Sequence, residues 1–282
     1  MTDKFHRTAC VGALALLTAL GGCGGGAGDP VRPGSASVST AVAPSGRFAY
    51  VANANAGDVS AYAIDASSGA LSAVGEPVAT GDTPSAIALD PSGRFAYVAN
   101  LESDDVLAYA IDAASGSLTP VGTRVAAGRA PLAVAVDPSG RFVYVVNDRS
   151  GDVSVYRIDA QTGALAAIGA PVAAGAAPEA IAIHPGGRFA YVTDVASGTV
   201  SIFAIDAATG ALSATAAPVA AGVRPRSITI DGSGAFARVV NSTSGQTSVF
   251  TVDTATGTLS AVGRPAADAS AQRRPQRGVV VG

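Results

Sequence analysis

The chain has 282 residues, 14% of them charged, with a formal net charge of −3, no tryptophan and two cysteines. So small and slightly acidic a charge provides no basic surface for a polyanion, and nucleic acid is not an expected partner. Both cysteines, Cys10 and Cys23, fall in the opening segment. The remainder therefore has no disulfide, no thiol nucleophile and no cysteine-held metal, and no metal or cofactor is expected.

Residues 1–22 have the build of a targeting segment. Lys4, His6 and Arg7 give a short basic start, and residues 8–20 form an apolar run too short to cross a bilayer. The run ends in Leu20-Gly21-Gly22-Cys23. This resembles the lipobox of bacterial lipoproteins: a branched apolar residue, two small residues, then the cysteine that carries the lipid. The resemblance implies cleavage before Cys23 and attachment to a membrane through it. An ordinary signal peptide cleaved nearby is the other reading. Residues 23–36, rich in glycine, read as a flexible tether. Gly24, where an aspartate would imply retention at the inner membrane, implies a bacterial outer-membrane address facing the periplasm or the cell surface.

Residues 37–282 obey one period. Pro44-Ser45-Gly46-Arg47-Phe48-Ala49-Tyr50 returns at Pro91, Pro138 and Pro185 and, altered, at Gly232, each time 47 residues on. A fixed period of this size means repeated units that bury their apolar faces against one another. In the repeat that starts at Pro84, residues 85–90 alternate small and large apolar side chains and predict a first strand. Its counterparts are 132–137, 179–184 and 226–231. Asp90-Pro91-Ser92-Gly93 suits a type I turn. Residues 95–100 predict a second strand that is apolar on both faces and must be covered on both. After a polar loop at 101–105, a third strand is predicted at 106–112. Asp112-Ala113-Ala114-Ser115-Gly116 is a second turn, its glycine free to take a left-handed conformation, and a fourth strand follows from 117 to about 124.

No helical period occurs anywhere. The predicted fold is all-β, a β-propeller of about five four-stranded antiparallel blades. A sandwich rarely repeats so strictly, and a solenoid coil is shorter. Aromatic residues after the leader fall into three columns: Phe48, Phe95, Phe142, Phe189 and Phe236; Tyr50, Tyr97, Tyr144 and Tyr191; Tyr62, Tyr109, Tyr156, Phe203 and Phe250. This regularity is a packing device between blades and leaves no spare aromatic for a ligand cage. The fifth repeat is altered: Ala235 replaces the arginine, Arg238 the tyrosine, and Gln246-Thr247 an Asp-Val pair. Residues 275–281 read as the first strand of a sixth repeat, shifted by three residues, that would meet the weak first strand at 38–42. A ring closed by this stub, an open arc, and a dimer that shares the exposed faces are each compatible with five repeats.

Residues 90–100, Asp-Pro-Ser-Gly-Arg-Phe-Ala-Tyr-Val-Ala-Asn, and residues 200–212 resemble the YVTN-repeat propellers of the lactonase (6-phosphogluconolactonase-like) type, as does Tyr191-Val192-Thr193-Asp194. The resemblance spans almost all of residues 38–282. It implies the propeller fold, usually with seven blades, and for some members lactone hydrolysis. Lactonase members tend to carry Pro-Arg-His before one inner strand and Asn-Glu after the next. Here Pro225-Arg226 is followed by Ser227 and Asn241 by Ser242. His184-Pro185 matches a further element of the family, but Asp194 stands where a glutamate would help.

His184, the sole histidine after the leader, occupies a column filled by Asp90, Asp137 and Asp231. It reads as a turn residue that accepts from backbone amides, more than as a general base or metal ligand. Asp65, Asp112, Asp159, Asp206 and Asp253 fall in equivalent turns and read as caps. No Ser stands in a nucleophile motif. Residues that break the period remain as the candidate ligand-binding set: Arg129, Glu179, Arg224, Arg226, Asp148 and Arg149. The expected function is an envelope-anchored module that binds or scaffolds a protein, peptide or small ligand. The alternative is a lactonase acting on a sugar lactone. Replacing Cys23 by serine is expected to release the chain from membranes, read as transfer from the detergent phase to the aqueous phase on phase separation.

Overall fold

The computed structural model describes residues 39–243 and 245–263. The leader, Cys23, the tether and the stub at 275–281 lie outside the described residues. The chain divides after Val172 into two compact units. Among the described residues all of the regular structure is β, in five sheets whose consecutive strands pair antiparallel.

The first unit contains three sheets. Their first strands are Ser39–Val42, Pro84–Leu89 and Pro131–Val136, and their second strands Phe48–Asn53, Phe95–Asn100 and Phe142–Asn147. The third strands are Asp58–Ile64, Asp105–Ile111 and Asp152–Ile158. The fourth, at the sheet edge, begin with Leu71–Ala73, Leu118–Ala126 and Leu165–Ala167. The second unit repeats the pattern with Pro178–Ile183, Phe189–Asp194, Thr199–Ile205 and Leu212–Ala214, then Pro225–Ile230, Phe236–Asn241, Thr247–Val252 and Leu259–Ala261.

From the second sheet on, first strands start at the proline and stop before the aspartate, or before His184 in the fourth, one residue earlier than the sequence pattern predicts. Asp90 has turned out of the ladder: one carboxylate oxygen accepts from the Phe95 amide at 2.7 Å, the other from the Ser92 amide at 3.1 Å. The fourth strand responds to one residue. In the first sheet it breaks before Pro77 and resumes as Val78–Ala79, and in the fourth before Pro218, resuming as Val219–Ala220. A proline has no N–H to give the ladder. Arg124 occupies that position in the second sheet, where Leu118–Ala126 runs unbroken.

Sheets pack through the aromatic columns. The Phe48 ring lies against the turn of the next sheet where a Cβ on Gly116 would come within 2.3 Å of it, and Gly116 has φ +77°. Phe95 meets Gly163 in the same way, and Phe189 meets Gly257 within the second unit. The tyrosine two residues on donates its hydroxyl to the same glycine's carbonyl: Tyr50 to Gly116 at 3.0 Å and Tyr191 to Gly257 at 2.9 Å. The arginine before each phenylalanine stacks on its ring and reaches a carbonyl of that turn, as Arg94 does to Gln161 at 3.3 Å. Second strands in the first, second and fourth sheets are buried on both faces for this reason. In Phe236–Asn241 burial alternates, and Phe236, Arg238 and Val240 are exposed.

Gly69 holds the equivalent turn position in the first sheet, with φ +72° and nothing within 4 Å of an added Cβ. Gly116→Ala combines backbone strain with a clash and is expected to cost about 2–4 kcal/mol. Gly69→Ala carries the strain alone, about 1 kcal/mol. Denaturant midpoints of the two variants measure the difference.

Candidate functional site

The six period-breaking residues fall into two groups, one in each unit. In the first unit Arg129, Asp148 and Arg149 lie on neighbouring loops. The Arg129 guanidinium reaches the Arg149 carbonyl at 3.4 Å, and Arg149 faces Glu102 at 3.9 Å. Asp148 is tied to the preceding loop by its amide, which donates to Ala130 O at 2.9 Å. These are loop-to-loop ties between exposed groups, and such pairs contribute little to stability.

The second group occupies the starts of two adjacent first strands. Pro178 and Pro225 open them, so Glu179 and Arg226 stand at the same register on neighbouring sheets. Arg226 Nε lies 3.6 Å from Glu179 Oε1, with both side chains partly exposed. Arg224 precedes the proline with φ 55°, and its carbonyl accepts from the Ser242 amide at 3.0 Å and the Ser242 hydroxyl at 3.1 Å. That bond holds the arginine loop to the end of the second strand. The result is a partly exposed cation–carboxylate pair, with a second arginine two residues before Arg226 in the chain.

The remaining candidates are explained by packing. His184 is buried; its Nδ1 accepts from the Gly186 amide at 2.9 Å. The proton therefore resides on Nε2, which donates to the Gly234 carbonyl at 3.1 Å on the next sheet. The turn role expected from the aspartate column is what the geometry gives. Among the described residues no three His, Cys, Asp or Glu side chains converge as metal ligands.

The five turn aspartates also cap. Asp112 Oδ1 accepts from the amides of Ala114 and Ser115 at 3.0 and 2.7 Å, and Asp159, Asp206 and Asp253 accept in the same way. Backbone and hydroxyl donors hold all five carboxyls below the usual carboxylate range.

Asp194 is the case that periodicity alone does not explain. Asn53, Asn100, Asn147 and Asn241 fill its column. Asn100 donates to Asp105 at 2.6 Å, whereas Asp194 faces Thr199 and instead accepts from the amides of Ala176, Ala177 and Ala196 at 2.9–3.1 Å. Burial pushes its carboxyl up, but the Ser197 hydroxyl and those amides outweigh it and hold it down. Thr80 is a companion the sequence pattern passes over. It interrupts a column of alanines at 127, 174 and 221 and donates to Asn100 Oδ1 at 3.0 Å. Asn147 and Asn241, beside alanines, have no protein partner for that oxygen.

Two clefts accompany these features. One of about 400 Å³ in the first unit is lined by Asp90, Arg94, Phe95 and Ser139. One of about 540 Å³ in the second unit is lined by Asp194, Ser197, Thr199, Ser201 and apolar neighbours. Neither contains any of the six period-breaking residues. The polar walls of both clefts are engaged in turns and caps, as Asp90 and Asp194 are.

With this geometry, the sequence matches the family described as "Lactonase, 7-bladed beta-propeller" over residues 31–179 and 172–272. The chain belongs to that family, and its sheets are propeller blades. Solved structures agree in fold. A Lactobacillus plantarum protein is 25% identical with a TM-score of 0.72, covering 79% of this chain and 69% of that one. The periplasmic gluconolactonase PpgL of Pseudomonas aeruginosa is 23% identical with a TM-score of 0.69, covering 79% and 68%. A putative 6-phosphogluconolactonase of Bacteroides fragilis is 23% identical with a TM-score of 0.68, covering 77% and 67%. No curated protein matches the sequence.

The capping carboxyls predict acid sensitivity. Their folded pKa values lie below the unfolded ones, so the stability they contribute is complete above about pH 4 and is lost as pH falls through the folded values. Melting temperature should stay level from pH 7 to about 5 and drop below about 4. Asp206→Asn should make that drop shallower.

Proposed function

We propose that this chain is a hydrolase of lactones, acting at the surface formed by Glu179, Arg224 and Arg226. The observation that carries the reading is the pair itself. In a chain of the lactonase family, Pro225-Arg226 opens a first strand, and Arg226 stands 3.6 Å from a carboxylate on the neighbouring strand. Lactone opening adds water to the ring carbonyl, breaks the ring C–O bond and releases a hydroxy acid. Negative charge develops on the carbonyl oxygen during addition, and a guanidinium is suited to hold it. Glu179 is placed to accept the proton of the attacking water. Arg224 adds positive charge that favours acidic lactones.

A second reading is a binding module without turnover. It is favoured by Ser227 and Ser242, which stand where the family pattern has histidine and glutamate. In either case we place the protein in the bacterial envelope, anchored through a lipid on Cys23 at the outer membrane, with a protein or peptide as the partner of the second reading. The periplasmic gluconolactonase among the related folds is consistent with an envelope address.

Glucono-lactone and 6-phosphogluconolactone hydrolysis, corrected for spontaneous opening, tests the reading. Turnover should exceed background, and Arg226→Ala should lower kcat/KM about a hundredfold, with Glu179→Gln giving a comparable loss. Turnover equal to background in the unaltered protein overturns the hydrolase and leaves the binding module.

A further inference from the structure

Glu179 and Arg226 are carried by two matching bulges. In the fourth sheet Pro178 lies opposite Asp194 and Ala180 opposite Thr193, so Glu179 is an extra residue without a partner across the ladder. In the fifth sheet Pro225 lies opposite Asn241 and Ser227 opposite Val240, which leaves Arg226 in the same position. A bulge re-aims the side chain it carries. Whatever fixes the bulge therefore fixes the aim of the carboxylate.

The two residues across from the Glu179 bulge both break their columns. Thr193 stands where the other repeats have Ala52, Ala99, Val146 and Val240, and Asp194 where they have Asn53, Asn100, Asn147 and Asn241. Each takes amides that border Glu179. The Thr193 hydroxyl accepts from the Ala180 amide at 3.1 Å, just after Glu179. The Asp194 carboxylate accepts from the amides of Ala176 and Ala177 at 3.0 and 3.1 Å, just before Pro178. The Val195 amide adds to the hold by donating to the Ala177 carbonyl at 2.9 Å. Thr193 and Asp194 are buried, where water competes little for these bonds.

The other sheets hold the same loop differently. Alanine and valine have no side-chain oxygen to offer. Asn100 Oδ1 accepts from Thr80, and Asn147 Oδ1 and Asn241 Oδ1 have no partner among the described residues. The backbone differs too. Thr83, Ala130 and Arg224, each just before the proline that opens its strand, are left-handed with φ 55°, whereas Ala177 is not. The second, third and fifth sheets form the same bulge without a threonine or an aspartate opposite it, so the fold itself does not require this pair.

We propose, on the reading of Glu179 and Arg226 as the site, that Thr193 and Asp194 are positioning residues that aim Glu179 at Arg226 by holding the amides on either side of it. Thr193 is fully buried and Asp194 spends both oxygens on amides, so both act through Glu179 and not on a ligand.

The test replaces the pair, in the full chain, by what other repeats already contain. Thr193→Val with Asp194→Asn gives the Val-Asn of Val146-Asn147 and Val240-Asn241, and Thr199→Asp adds the partner that Asp152 is to Asn147. This triple variant should melt cooperatively, near the unaltered protein. On 6-phosphogluconolactone its kcat should fall about tenfold with KM nearly unchanged, since both arginines remain. In a Glu179→Gln background the three changes should lower kcat no further, a coupling that general loss of stability does not produce. Thr193→Ser, which keeps the hydroxyl, should keep the rate. If the triple variant does not melt cooperatively, Thr193→Val alone carries the same comparison. A kcat that survives the replacement, or falls as far again in the Glu179→Gln background, overturns the inference. The Arg226 Nε–Hε resonance reads the pair without turnover and should move in the triple variant as it does in Glu179→Gln. Should the unaltered chain show no turnover above background, the hydrolase falls, and this resonance decides the positioning role by itself: a signal left in place by the three changes overturns it.

Discussion

Glycine with a left-handed backbone, set under an aromatic ring from the neighbouring sheet, is the constraint on which the rest of this structure depends. A Cβ on Gly116, Gly163 or Gly257 would lie 2.3–2.5 Å from a phenylalanine ring carbon. The turn can therefore be built in only one way, and the ring can approach only from one side. The Asp that opens each turn caps it independently of the ring, because its carboxylate faces the amides two and three residues on, as the uncovered turn at Asp65 shows. The tyrosine hydroxyl, two residues from the phenylalanine, reaches the same glycine's carbonyl and closes a buried polar group that would otherwise be costly. Packing between sheets and the aromatic columns of the core follow from this one contact repeated at a fixed interval.

Such an arrangement spends most of its polar side chains on structure. The column aspartates cap turns, the column asparagines tie second strands to third strands, and His184 bridges a turn and the next sheet. Few polar groups are free to act on a ligand, which is why the residues outside the period carry the functional reading. Among them the Glu179–Arg226 pair differs from the Glu102–Arg149 pair in setting. The former sits at matching bulges, one residue after the prolines that open two first strands, where the bulged backbone sets the side-chain direction. The latter joins two loops whose side chains are mostly in solvent. Preorganisation of that kind is what a reacting site needs and a surface tie does not.

The fifth sheet marks where the structural rule changes. Its second strand keeps one buried face, with Ala237, Val239 and Asn241 inward, and turns the other to solvent. The substitutions there follow burial: an arginine replaces the tyrosine whose hydroxyl needs a buried carbonyl, and an alanine replaces the arginine that would stack over a covered ring.

Sequence by itself determined the period, the strands and both turns. These depend on local pattern: proline, aspartate and glycine at set positions, and apolar residues on both faces of the second strand. The caps at Asp65, Asp112, Asp159, Asp206 and Asp253, and the turn role of His184, were legible for the same reason, since an Asx-type bond spans only two or three residues. Only tertiary structure decided which of the period-breaking charges meet. Arg129, Asp148 and Arg149 stand apart in the sequence from Glu179, Arg224 and Arg226 by no evident rule, yet each group assembles within its own unit around loops and strand starts drawn from adjacent sheets. It also decided that Asp194 binds three amides, a role set by the loop at Ala176 and Ala177 folding back over it. Contacts of that kind join residues 17 or 18 apart through a backbone path that no local spacing encodes.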